Sequence, residues 1–232
     1  MFKIFKKIQK IKYNFNGGGN HIKIIKEDGQ IIWNPKSIPG LTIDFRGSNG
    51  YLEIWEPCIW DKSYFMIGDN SSIVVKKINA LSLSIHSIAK VNVFIDEYTS
   101  FWNVDMWFQW ESDISIIIGK DCMLSSGVNL WPSDAHVIFD KNNNIINRPK
   151  NKSIIIGDHV WIGYGSTILK NTKIPSGCII GAGSIVTGQF NHPNSIIAGS
   201  GSDLREVKYN INWDRRSIYL YEQDQSSKSK GH

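Results

Sequence analysis

Residues 156–186 read IGDHVW, IGYGST, ILKNTK, IPSGCI, IGAGSI, V. The first letters are Ile156, Ile162, Ile168, Ile174, Ile180 and Val186, five consecutive steps of six. With branched aliphatics at about a quarter of positions, chance would give such a run about once in 4,000 registers. The fifth letters are Val160, Ser166, Thr172, Cys178 and Ser184, all small or medium. A shorter run precedes this one. Ile118, Leu124 and Leu130 keep the same step, with Cys122 and Val128 at the fifth place. A period of six is neither the helical 3.6 nor the strand period of 2. It fits a flat-sided parallel β-helix, in which each hexapeptide gives one short strand and one corner and three close a triangular coil. The first and fifth positions then point inward, and Gly and Asn supply the corner dihedrals. Coils bury their apolar edges only against neighbours, so several are needed.

Between Leu130 and Ile154 the beat stops. The segment WPSDAHVIFDKNNNIINRPKNKS is polar and rich in turn formers, which predicts a loop expelled from the coil over 131–153. His136 lies in it, two residues after Asp134 and three after Ser133. These three do not form a G-x-S-x-G elbow, so serine-hydrolase chemistry is not indicated. His159 falls at a corner of its hexapeptide, where no catalytic role is expected.

The rest of the chain sets boundaries. The 232 residues are 41% hydrophobic and 20% charged, a globular composition for one large domain. No run of eighteen apolar residues and no signal-type segment is present, which makes the cytoplasm the expected compartment. The three cysteines, Cys58, Cys122 and Cys178, form no C-x-x-C pair, so neither a disulfide framework nor a thiolate metal site is suggested. Part of the net charge of +5 sits in MFKIFKKIQKIK. With Phe2, Phe5 and Ile8 on one face, residues 1–12 predict a short basic amphipathic helix suited to the anionic inner-membrane surface. Asn16-Gly17-Gly18-Gly19-Asn20 ends that segment, 1–20. The expected catalytic domain is 21–213, β-rich throughout. Residues 214–232 form a tail in which 225–230 read as disordered.

Hexapeptides, an expelled loop with SDAH and IIN, and IIIGDHVWIG in that order resemble the hexapeptide-repeat acyltransferases. The resemblance, over about 114–213, is strongest to the sialic-acid-capsule and surface-polysaccharide O-acetyltransferases. It implies an all-β, left-handed parallel β-helix, an exception to the usual crossover hand. It also implies a homotrimer with acetyl-CoA running between subunits, a carbohydrate acceptor, no metal and no nucleic acid. By matching position His136 is the general base. Asp134, or a backbone carbonyl, would fix its tautomer, and Trp161 would line the site beside the thioester. The implied donor contacts are Trp161, Gly163, Tyr164, Ala182 and Thr187. Arg205 and Lys208 are substitutes for phosphate contacts, because Gly188 and Gly199-Ser200-Gly201-Ser202-Asp203 depart from the family text.

Trp131, Asn147 and Trp110 are expected on the acceptor side. Together with Trp102, Trp107 and Phe108 the tryptophans suggest an aromatic platform for sugar rings. A histidine suits proton abstraction from a hydroxyl near neutral pH. The nearest alternative is an amino-sugar N-acetyltransferase of the same fold. A non-catalytic β-helix scaffold or sugar-binding module would have no use for His136. A zinc hydratase would need three histidine ligands, and no H-x-x-x-x-H pair exists.

Overall fold

The computed structural model describes residues 12–13, 18–148 and 153–229. They form a parallel β-solenoid of about seven coils, with the left-handed β-helix architecture. Face one holds seven parallel strands, from His21–Ile25 to Lys173–Ile174. Face two includes Met123–Leu124, Trp161–Ile162, Ile179–Ile180 and Ile196–Ala198. Face three includes Val128–Trp131, Thr167–Leu169 and Ile185–Val186. In lower coils one long strand serves both faces. Ser100–Trp107 pairs with Met123–Leu124 at one end and Val128–Trp131 at the other, with register shifts between Phe101 and Val104.

Like residues stack into continuous internal ladders. On face one Ile24, Ile54, Val75, Ile95, Ile118, Ile156 and Ile174 are in register and buried. On face three Ile43, Phe65, Ile85, Met106, Leu130, Ile168 and Val186 do the same. Each fully buried aliphatic contributes about 1.5–3 kcal/mol relative to exposure, so the ladders carry the fold. The fifth-position residues also face inward, where their hydroxyls find backbone carbonyls. Ser166 Oγ donates to Gly181 O at 3.0 Å and Thr172 Oγ1 to Leu169 O at 2.7 Å. Burial pushes the Cys122 thiol up to about 12 and Cys58 to about 11, so both stay protonated at neutral pH.

The corners repeat one device, a residue with φ > 0 in nearly every coil. Between faces one and two these include Tyr98, Asp121, His159 and Gly177; between two and three, Asn103, Gly127, Gly165 and Gly183; between three and one, Asn70, Lys90, Asp113 and Asn171. An antiparallel strand covers one face at each end: Ile31–Trp33 against His21–Ile25, and Arg205–Lys208 against Ile196–Ala198.

Of two expectations at the termini, one changes and the other falls outside the described residues. The N-terminal helix lies outside the described residues, whose first pair, Lys12–Tyr13, is a strand beside Asp44–Phe45. The tail read as disordered is instead helical over Ile218–Ser229. That stretch has no Gly or Pro, and Arg216 ties it to the preceding turn through Asp214 (2.6 Å) and Asp224 (2.8 Å).

Candidate active site

The expelled loop leaves at the edge between faces three and one, after Trp131, and the ladder resumes at Ser153. It folds back on itself. Phe139 bridges Ile145, Ile146 N–H donates to Ile138 O, and Asp140 Oδ1 accepts from the N–H groups of Asn142 and Asn144. Its root is a tight turn in which His136 N–H donates to Asp134 O at 2.7 Å across Ala135. Ala135 has φ +64°, a costly conformation for a residue with a Cβ. Three bonds enforce it. Ser133 Oγ accepts from Ala135 N–H (2.9 Å), while Asn147 Nδ2 donates to His136 O (2.7 Å) and to Asp134 Oδ2 (2.9 Å).

Asp134 therefore plays a different part from the one expected. Its carboxylate takes hydrogen bonds from Asn147 and from Lys170 of the next coil, so it anchors the loop rather than bonding the imidazole. Partial burial pushes this carboxyl up, but the Lys170 and Asn147 bonds outweigh that and hold it below the usual range. Asn147 is likewise committed within the loop, with Oδ1 accepting from Ile138 N–H and both Nδ2 bonds turned inward. Its expected acceptor role becomes one of positioning. His136 itself lines a cleft of 360 Å³ between the loop and the preceding coil, with Glu111, Ser112, Val137 and Arg148. Glu111 and Arg148 were not anticipated from the sequence.

Trp161 stands elsewhere. It projects outward from face two, between Met123 and Ile179 on neighbouring coils, and its Nε1–H donates to Ser125 Oγ at 3.2 Å. Face two lies across the prism from the edge that carries His136. One chain therefore does not bring these two residues together. The expected donor contacts divide in the same way. Gly163, Tyr164 and Ala182 share the edge between faces two and three, with Tyr164 68% exposed. Thr187 sits with Lys170 on the His136 side, its Oγ1 donating to Lys170 O at 3.4 Å. Arg205 is on the terminal strand and donates to Asp203 O. Gly163 also has a reason internal to the coil stack: a Cβ there would meet Ala182 N and Ile180 O at 2.7 Å.

The aromatic platform is partly dismantled. Phe108 is buried in the core. Trp107, stacked on His86 with ring centroids 3.9 Å apart, and Trp110 together line one concavity with Arg46, Met66 and Gln109, separate from the His136 cleft. Trp131 is exposed at the root of the loop. His159, expected at a corner, is there, with Nδ1 2.6 Å from Asp121 Oδ2. The sequence held a signal for this pair, since Asp121 and His159 each stand three residues after a ladder isoleucine, Ile118 and Ile156.

Comparison with known proteins agrees with this architecture. The bacterial transferase hexapeptide (six repeats) family matches residues 153–188. A polysialic acid O-acetyltransferase of Neisseria meningitidis is 33% identical over 129 residues, 53% of this chain and 57% of that protein. The chain thus spans little more than half the length of that relative. Among solved structures, the polySia-specific acetyltransferase NeuO superposes with a TM-score of 0.73 at 26% identity, covering 95% of this chain and 98% of the other. The polysialic acid O-acetyltransferase OatWY gives 0.72 at 27%, covering 93% and 98%.

Proposed function

We propose, from a chain that carries bacterial-transferase hexapeptides on the β-helix shared with two polysialic acid acetyltransferases, that it moves an acetyl group from acetyl-CoA to a hydroxyl of a bacterial surface carbohydrate. The observation that carries the reading is His136, held on a strained, triply bonded turn at the mouth of a cleft. What sets this turn apart from the ordinary coil corners is that it lies in the expelled loop and is fixed by the bonds from Ser133 and Asn147, an arrangement that favours a functional geometry.

In this reaction His136 takes the proton of the acceptor hydroxyl as its oxygen attacks the thioester carbonyl carbon. The tetrahedral intermediate collapses, the C–S bond breaks, and the imidazolium returns the proton to the departing thiolate. A positioned base of this kind contributes about 10²–10⁴-fold. The thioester is already activated. The indole N–H of Trp161 is engaged by Ser125 at 3.2 Å, and the N–H groups of Gly165 and Gly183 by Ser126 O and Tyr164 O, so a donor to the oxyanion from this surface must exchange a bond it already makes.

His136 and Trp161 occupy opposite sides of one prism, so a complete site needs two chains, with the loop of one facing the Trp161 surface of the next. A closed trimer satisfies this with three equivalent sites. Use of acetyl-CoA fits a cytoplasmic setting, and residues 1–12 fit attachment at the inner membrane surface. No helix among the described residues is long and apolar enough to cross a membrane.

Thiol release from acetyl-CoA with a panel of capsule and lipopolysaccharide glycans tests the reading. His136→Ala should lower turnover by about 10²–10⁴-fold. Equal rates above background for the two proteins would remove His136 as base.

A further inference from the structure

Beyond the last coil the chain turns back and runs down the edge between faces one and two. Ile211 N–H donates to Asn194 O, Trp213 reaches the coil of His159, and Arg215 reaches two coils further. Trp213 is 9% exposed and lies flat on the His159 ring, with centroids 4.2 Å apart at 11°. Its Nε1–H donates to His159 O at 2.9 Å, and its carbonyl faces His159 Nε2 at 3.1 Å. The other ring nitrogen of His159 faces Asp121 Oδ2. Both ring nitrogens meet oxygen partners, which fixes the plane of the ring beneath the indole. Arg215 clamps the same point, donating to Asp121 Oδ1 (2.8 Å), Ser100 Oγ (2.8 Å), Tyr98 O (3.0 Å) and Cys122 O (2.7 Å).

The free side of Trp213 meets Trp161, with centroids 6.0 Å apart at 45°. Trp161 projects from a two-residue strand, and the hydrogen bond to Ser125 fixes only one end of its ring. We propose that Trp213 is a positioning residue: it sets the orientation of the Trp161 indole, and through it the acyl-donor half of the site. The part about the donor rests on the acetyl-transfer reading; the part about orientation does not.

The full-length protein provides the test. The Nε1–H resonance of Trp161, assigned with Trp161→Phe, should move in Trp213→Ala and return in Trp213→Phe. In the same variants KM for acetyl-CoA should rise about tenfold in Trp213→Ala and recover in Trp213→Phe, with KM for the glycan unchanged. If Trp213→Ala does not fold, Trp213→Leu keeps bulk without the ring and takes its place. An unmoved Trp161 resonance overturns the proposal, and so does an equal rise in both KM values. Should the resonance move while Trp161→Ala leaves KM for acetyl-CoA unchanged, orientation by Trp213 stands and the placement of Trp161 in the donor site fails.

Discussion

The edge between faces two and three and the edge between faces three and one share a backbone device and carry different cargo. Each turns the chain with left-handed residues: Asn103, Gly127, Gly165 and Gly183 on the first; Asn70, Lys90, Asp113 and Asn171 on the second. The first edge stays tight and presents small groups and Tyr164. The second opens once and releases a loop of about twenty residues bearing His136, yet the Met106–Leu130–Ile168 and Ile116–Ile154 registers run on undisturbed across the gap. Because each coil packs only on its neighbours, an insertion at a corner costs the stack little. Chemistry can be added at one edge while the other keeps its regular surface. On the proposed reading each chain then offers two half-sites.

The sharpest way to break that contrast is to mix chains. His136→Ala and Trp161→Ala should each be nearly inactive alone. Denatured together and refolded at equal amounts, they should regain activity at about a quarter of sites, those with an intact His136 and an intact Trp161 from different chains. Failure to regain any activity would return both residues to one chain's site.

A second test probes the tight edge itself. Gly163→Ala places a Cβ against backbone at 2.7 Å and should cost about 1–3 kcal/mol in urea unfolding. Gly165→Ala, where a Cβ meets nothing within 4 Å but φ is +67°, should cost less, about 1–2 kcal/mol. Equal costs would mean that the neighbouring coil yields.

The smallest effect sharpens the open edge. The Asp134 carboxyl is held below its usual range in the folded loop. Its contribution is therefore complete above the ordinary carboxyl value near 4 and is lost as pH falls through the lower folded value. The protection factors of the loop amides, which correct exchange rates for their intrinsic pH dependence, should fall on acidification over that window. Lys170→Ala should move the onset upward toward the ordinary value, with little change in Tm.

The legible part of the fold was the part where geometry and count coincide. From Ile156 to Ile174 one coil takes 18 residues, three faces of six. From Ile54 to Val75, Val75 to Ile95 and Ile95 to Ile118 it takes 21, 20 and 23. Extra corner residues and the register shifts after Phe101 spoil the beat there, although the ladder never breaks. The loop and His136 could be placed by resemblance, and the Asp121–His159 pair by counting from the ladder. The true partners of Asp134 could not, because Lys170 arrives from the next coil. Trp213 and Arg215 gave no periodic signal at all, since a strap that runs down the prism obeys no coil spacing.

The two short antiparallel strands at the ends, Ile31–Trp33 and Arg205–Lys208, have a consequence for growth. A stack of parallel strands is a template that another copy could extend indefinitely, as in a fibril. A reversed strand presents the wrong hydrogen-bond pattern to the next parallel rung. Such a molecule can lengthen over evolution by duplicating whole turns in its middle, while the capped face at each tip offers no parallel rung to another copy.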